Sequence, residues 1–514
     1  MSKRKEKLEK IFEPQRVLLP WFQYISELFY PEVASFTGSI GLSRDILAKL
    51  ADSSPILMRR DLGNFLGSML RDGEQWFRLS LRGQPDPDEK QRQGLDALAD
   101  KLRSLMYSGK SGFNRATREA DQFYVTFGNA VISVEPDLAN GTLLYRTHHL
   151  SNCAWMEDYR GDIRIVARRF EMTGYDIEDR FPKFDLPERL RKDKMKKAEV
   201  AHIVERIEPG KWKSIYFLIE DDDLLEEVEI GYPIYVIPRF ATIPDSPYAY
   251  SPVVVTAVPD STLLETVMLS LLDAAERVTN PPLTAVKGAI HSEINLRPNG
   301  VTWIDRDYDE RTGKSLNPVD LGNSMPYGME VRELFRDFVR TSFYLDRLSF
   351  PDVGDMTAYE VAQRMKQFRR ETLPLFAPVE EQYNAPLCEA SLLAALSSGL
   401  ILQSEISEDI RGQDVIFEFD SPLTEQEEEK KRQVFLQASE VIATAGQFDQ
   451  EVIDNLDFDK ATRDTIIAIG APSDWVVEED EVIGVRQQRA IAMQQAAAMA
   501  AQAQQQGVDN ESVT

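Results

Sequence analysis

Apolar residues recur at helical spacing in three stretches between Pro259 and Leu402, and the rest of the chain is arranged around them. In the first, Leu263, Leu264, Val267, Met268, Leu271, Leu272 and Ala275 return every three or four residues. This predicts a helix from Pro259 to a stop at Asn280-Pro281-Pro282, since proline lacks the donor a helix interior needs. Thr262 followed three residues on by Glu265 has the spacing of a capping box at its start. In the second, Met329 to Leu348, the residues Val331, Leu334, Phe335, Phe338, Val339 and Tyr344 fall mostly on one side. Arg332, Arg336 and Arg340 share another side of a helix about 30 Å long. The loop Ser349-Phe350-Pro351-Asp352-Val353-Gly354-Asp355 follows. Thr357 and Glu360 then box the start of a third helix, which carries Gln363, Arg364, Lys366, Gln367, Arg369 and Arg370 and kinks or ends at Pro374.

Before these stretches, Met1 to Leu81 reads as helical, with breaks at Pro14, Pro20, Pro31 and Ser53-Ser54-Pro55. Gly83 to Glu89 is a loop, Lys90 to Ser108 an amphipathic helix ending at Gly109, and a further helix opens at Phe113. From Tyr124 the period shifts towards two, predicting antiparallel strands in VTFGNAVISVEP, GTLLYRTHHL, NCAWMED and IRIVARRFEM. Asp176 to Glu199 is expected to be a basic, solvated helix, and Ala201 to Arg239 more strands around the acidic turn Glu220 to Asp223. The insert Leu283 to Pro326 alternates like strands, with turns at Pro298-Asn299-Gly300 and Thr312-Gly313-Lys314. After Thr424 comes a charged amphipathic helix, then short helices near Glu451 and Ala461. The Ala/Gln-rich stretch from Val485 reads either as a long helix or as a frayed tail. The fold class is therefore α+β, mainly helical.

The order of helix, Pro-rich exit, β-rich insert, helix, Gly/Asp loop and Met356-Thr357-Ala358-Tyr359-Glu360-Val361 resembles the podovirus-type phage portal, or head-to-tail connector, family. Leu66-Gly67-Ser68-Met69-Leu70 with Trp76-Phe77-Arg78-Leu79, and Phe127-Gly128-Asn129-Ala130-Val131-Ile132, are similar to its early helix and to the strand after its wing helices. Pro238-Arg239 and Tyr248-Ala249-Tyr250-Ser251-Pro252 sit where the family has Arg followed by Tyr-Gly; Ala249 and Tyr250 depart from it. The resemblance runs from about Ile40 to Leu402 and implies a ring-forming fold. In it, residues 1–258 form a wing, 259–282 a first stem helix, 283–327 a clip, and 328–348 a second stem helix. Residues 349–356 form a channel loop, 357–423 a wing return, 424–484 a crown, and 485–514 a terminal helix, barrel or tail.

Net charge changes the picture next. Fifty-nine Lys and Arg against 85 Asp and Glu leave −26, so the chain repels duplex DNA on average, as suits a conduit in which tight phosphate binding would stall sliding. The same acidity suits an acidic binding protein. No run of 18 apolar residues occurs, so no transmembrane helix is expected, and MSKRKEKLEKIFEP lacks the apolar core of a secretory signal. Cys153 and Cys388 give no disulfide framework or zinc set and read as ordinary thiols.

Catalytic motifs are not evident. Gly109-Lys110-Ser111 and Gly313-Lys314-Ser315 each lack the glycine a phosphate loop needs, having Ser104 and Tyr308 instead. Asp305, Asp307 and Asp309 mimic a calcium loop whose sixth and twelfth positions here are Glu310 and Leu316, not Gly and Glu. His148 and His149 adjoin in an expected strand and so face apart, while His202 and His291 are isolated. No catalytic residue, cofactor site or metal site is expected, and no enzyme.

The arginine row admits two readings. Arg332, Arg336, Arg340 and Arg347 face a DNA channel, or Arg336 and Arg340 pair with Glu333, Asp337 or a neighbouring subunit, pairing being the favoured reading. By family position, Ser349, Phe350, Asp352, Val353, Gly354 and Asp355 line the channel and Trp303, Asp305, Asp307 and Asp309 belong to the docking clip. The resemblance implies a structural subunit of a ring of about twelve copies at one capsid vertex, passing double-stranded DNA in packaging and ejection. Implied partners are the terminase large subunit, major capsid protein, scaffolding protein and tail adaptor or nozzle proteins, with no membrane. The implied location is the virion, after host cytoplasm during assembly. The rival is an acidic α+β adaptor or scaffold-binding protein acting as a monomer or small oligomer.

Overall fold

In the computed structural model the described residues are 3–38, 50–71, 73, 75–83, 87–279, 283–285, 316–318, 325–348, 377–419, 435–442, 458–468, 482–489 and 491–493. The early elements are α1 (Lys3–Phe29), α2 (Ser54–Leu70), β1 (Phe77–Leu81), α3 (Glu89–Met106) and α4 (Phe113–Phe127). A β-rich run follows, with β2 (Ile132–Asp137), β3 (Thr142–Thr147), β4 (Cys153–Glu157), β5 (Ile163–Thr173), α5 (Gly174–Arg180) and α6 (Glu188–Lys192). It continues through β6 (Lys197–Glu208), β7 (Lys211–Leu218), β8 (Leu224–Ile230) and β9 (Tyr235–Val236). Then come α7 (Pro252–Thr279), β10 (Leu283–Ala285), β11 (Leu316–Pro318), α8 (Met325–Ser342) and α9 (Leu345–Leu348). A π-turn at Glu380–Asn384 leads into α10 (Ala385–Ser398), followed by β12 (Val415–Phe419) and α11 (Phe458–Ala468). The α+β class holds.

The chain packs as two units. The first gathers Met1–Ser68, Gly112–Glu135 and Leu144–Ala394. Its centre is the antiparallel sheet β4-β5-β6-β7-β8. The two-residue period of β6 and β7 sends alternate side chains to opposite faces. Ala201, Ile203 and Phe217 face α1, where Ala154 and Ala167 leave room for Leu8, Ile11 and Phe12. Ala198, Val200, Tyr216 and Leu218 face α5 and α6, whose Ile177, Phe181 and Leu190 cover them. A smaller sheet, β3-β2-β9, adjoins.

The second unit gathers Met69–Ser111, Pro136–Leu143 and Ala395–Thr514. There β1 pairs antiparallel with β12, Phe77 opposite Phe419. Trp76 stacks on Phe419 and donates its indole N–H to the Tyr107 hydroxyl at 2.7 Å. Arg103 of α3 donates to the Phe77 carbonyl at 3.1 Å.

Several expectations are corrected. Helix α1 runs unbroken through Pro14 and Pro20. Both prolines, and the residues four back, Lys10 and Arg16, lie on its exposed side, where water replaces the lost backbone bond. Residues 77–81 form a strand rather than helix, because a distant partner, β12, supplies the ladder. Helix α4 extends to Phe127, past the expected change of period, since its last turn is buried on nearly every side. The expected long helix from Asp176 to Glu199 is two short helices and the start of β6. Helix α7 starts at Pro252 and takes Pro259 into its interior, while α8 starts at Met325 and stops at Ser342, where Tyr344 takes φ +56°.

Among the described residues α7 is the one helix long and apolar enough to cross a membrane, although Asp260 and Glu265 interrupt its apolar run. Its first half is built into the first unit, with Val253, Val254, Ala257, Ser261 and Leu264 buried.

Candidate functional site

The two long helices α7 and α8 pack antiparallel, as the paired apolar stripes lead one to expect. They meet at Gly328, where a Cβ would lie 2.5 Å from Leu271 Cδ2 and oblige that side chain to shift. Leu264 is the last buried residue of α7. On the returning helix, Val339 is buried, as is Phe343 just after it, whose ring meets Phe29 at 5.7 Å. Beyond these residues the pair overhangs the body by roughly 20 Å, from the rise per residue over 265–279.

The overhang is not dressed for water. Leu269, Leu272 and Val278 of α7 and Tyr327, Met329, Leu334 and Phe338 of α8 are exposed, Leu272 by 55% and Tyr327 by 72%. The polar positions between them are quiet. Thr266 and Ser270 each donate their hydroxyl to the carbonyl four residues back, at 2.9 Å, while Thr262, at the root, donates to Val258 and lies 3.0 Å from the Tyr24 hydroxyl. An exposed apolar surface of this length marks an interaction site.

Polar contacts gather where the pair leaves the body. Glu265 accepts the backbone N–H of Ala51 at 2.8 Å and of Asp52 at 3.2 Å. It is therefore not the reciprocal partner of Thr262, which donates to Val258; because α7 begins at Pro252, the expected capping box falls mid-helix and does not form. Asp52 is buried, accepts the Ser54 N–H at 2.7 Å, and receives the Arg336 guanidinium at 3.1 Å. Burial pushes the Asp52 carboxyl up, but the Ser54 bonds and Arg336 outweigh it and hold it below the usual carboxylate range.

The arginine row is paired within the chain. Arg332 binds Glu333. Arg336 reaches Asp52 at 3.1 Å and Glu333 at 3.5 Å. Arg340 meets Asp346 at 2.7 Å rather than the expected Asp337, because the turn at Tyr344 carries Asp346 back along the helix. Asp52 and Glu265 were missed as partners; nothing local in the sequence ties residue 52 to residue 336. The side chain of Arg347 lies outside the described residues, as do Ser349, Phe350, Asp352, Val353, Gly354 and Asp355, the helix expected from Thr357, and Trp303, Asp305, Asp307 and Asp309. Of the insert between the helices, β10 and β11 are described and pair antiparallel, Leu283 opposite Pro318.

The other chemistry-bearing side chains serve the fold. Ser111 of Gly109-Lys110-Ser111 donates to the Met106 carbonyl, and Lys110 to Asn140 at 2.6 Å. His148 and His149 do not share a strand, since β3 ends at Thr147. His148 Nε2 lies 2.9 Å from Ser133 Oγ, and His149 Nε2 3.0 Å from the Val33 carbonyl. His202 is buried, stacked on Tyr216 at 3.7 Å, with Tyr235 and Ser214 at its two nitrogens. Cys153 and Cys388 are buried free thiols, burial pushing that of Cys153 up to about 12. Among the described residues no three His, Cys, Asp or Glu side chains are grouped to hold a metal ion.

Comparison with known proteins gives the family. The chain is 24% identical over 316 residues to the portal protein of Salmonella phage epsilon15, an alignment covering 59% of this chain and 55% of that protein. The chain thus spans about half the length of that relative. Among solved structures it aligns with a chain of the virion of a native gene transfer agent particle at a TM-score of 0.34 and 12% identity, covering 84% of this chain and 94% of that one. The model of the bacteriophage head to tail connecting protein family matches residues 1–477, and the chain belongs to that family.

Proposed function

We propose that the protein is a structural portal subunit that assembles into a ring of about twelve copies at one capsid vertex and passes double-stranded DNA. The observation that carries this reading is the α7–α8 overhang, a pair of long helices whose exposed leucines and aromatics have no cover within the described residues of the chain. A closed ring repeats one heterologous interface, so each copy would cover the next and no apolar edge would be left over. Family membership and the kinship with a phage portal protein support the same assignment. The chain does no ATP chemistry in this reading. A terminase motor drives the DNA, the insert at β10 and β11 serves as the clip that meets the motor and later the tail, and residues 349–355 guide the duplex. Capsid and scaffolding proteins seat the ring.

Pairing of Arg332, Arg336 and Arg340 with carboxylates supports a wall that is close to neutral at the helix pair rather than one that grips phosphate. The test is negative-stain electron microscopy with solution mass. Rings with a central hole and a mass near twelve chains are expected. A chain that stays monomeric even with scaffold and capsid protein present would replace the portal with an acidic adaptor. The bare overhang weighs against that rival, which would bury these apolar faces internally.

A further inference from the structure

We propose that Asp52, Arg336 and Glu265 form a polar latch that fixes the angle at which the α7–α8 pair leaves the first unit, and that opening it lets the pair swing. The three residues come from three separate segments and meet at one place, the root of the overhang. One short turn, residues 51–54, holds both helices: its backbone N–H groups bind Glu265 of α7, and its one carboxylate binds Arg336 of α8. The same carboxylate accepts the Ser54 N–H at the start of α2, so the turn is itself anchored to the body.

Beside the latch lie the apolar contacts of Leu264 and Val339 with Phe343 on Phe29, which hold the pair in place without prescribing its direction, and one exposed hydroxyl contact, Tyr24 to Thr262 at 3.0 Å. Hydrophobic burial is not directional. Charged hydrogen bonds are, and losing the half-buried Arg336 strands the buried charge of Asp52. The arrangement therefore resists small tilts and gives way all at once. A lever of roughly 20 Å moves its tip by about 1 Å for each 3° at the root. The latch belongs to the single chain, so it stands whether or not rings form.

The test places spin labels on the full chain at Leu272→Cys, on the overhang, and Tyr159→Cys, at the exposed tip of the β4–β5 hairpin, diluted with unlabelled chain. The native cysteines are buried. Pulsed electron paramagnetic resonance then reads the distance distribution between the labels. We expect one narrow distribution for the parent. Asp52→Asn and Arg336→Gln should each broaden it at least twofold, and the double variant no further than either single, while amide exchange in β5–β7 stays unchanged. Arg340→Gln, which breaks the Asp346 pair on the same helix, should leave the distribution narrow. An unchanged distribution in the two single variants overturns the latch, as does strict additivity in the double variant or equal broadening by Arg340→Gln. Should Asp52→Asn unfold the body, Arg336→Gln, which touches a partly exposed side chain, carries the test alone.

Discussion

Gly128 shows how much one position can fix. It ends α4 at φ +74°, and a Cβ there would lie 2.1 Å from the carbonyl carbon of Tyr250. The neighbour cannot yield, because it is backbone, and because buried Asn129 binds both the N–H and the carbonyl of Ala249, at 2.9 and 2.6 Å. Left-handed backbone costs an L-residue about 1–2 kcal/mol before any clash is counted. Gly128→Ala should therefore destabilise the first unit by about 3 kcal/mol or more, read as a lowered midpoint in chemical denaturation. A loss under 1 kcal/mol would mean that the 249–251 segment moves freely. His202 makes a second prediction at this scale. Burial, then the charge of Arg168, holds its pKa well below the usual imidazole value, and burial with Arg168 and Arg146 does the same for His148. A folded pKa below the unfolded one means that the unfolded chain binds more protons. Stability is then complete above the unfolded pKa near 6.5 and falls as pH drops through it, by up to about 1.4 kcal/mol per pH unit for each histidine. His202→Gln should cost stability at pH 7 yet flatten the slope between pH 6.5 and 5. An unaltered slope would show that this histidine is not what acid attacks.

At the scale of elements the sequence was legible where packing repeats locally. The stripes of α7 and α8 and, apart from the start of β6, the strands from β4 to β8 follow from spacing alone. What failed was punctuation decided at a distance. Thr262 and Glu265 spelled a capping box because Pro259 reads as a boundary, yet the helix begins at Pro252, and Glu265 serves a turn some 210 residues earlier in the chain. The strand at 77–81 needed β12, and the Arg336 partner needed Asp52; neither has any local signature. The same conflict yields a prediction. Proline within a helix costs about 3 kcal/mol where it breaks a needed backbone bond. Pro259 is exposed, and so is Val255, whose carbonyl loses its helix partner. Pro259→Ala should restore that bond and raise thermal stability by about 1 kcal/mol or more. A helix that truly started after Pro259 would gain nothing, because its first residues need no such bond; unchanged stability would return the capping box to favour.

The whole molecule carries −26, and the proposed ring brings about twelve such charges side by side, so assembly must overcome repulsion with something other than charge. In the proposed ring the overhang would supply it: burying two leucines such as Leu269 and Leu272 against a neighbour is worth about 3 kcal/mol or more per interface, upwards of a hundredfold in affinity. Salt separates the candidate forces. Ion pairs between subunits would weaken as the screening length shrinks from about 30 Å at 0.01 M to about 3 Å at 1 M, and rings held by them would dissociate. Repulsion weakens over the same range while apolar burial does not. The arginines of α8 are already paired within their own chain, leaving them little to offer a neighbour. Rings should therefore become more abundant, not less, as salt rises from about 0.01 to 0.5 M, in light scattering on the unmodified chain. The variant Leu269→Gln with Leu272→Gln should keep the fold of the monomer but lose rings at every salt concentration. Rings that fall apart in salt, or that survive the double substitution, would move the subunit interface off the α7–α8 face and onto charged surface elsewhere.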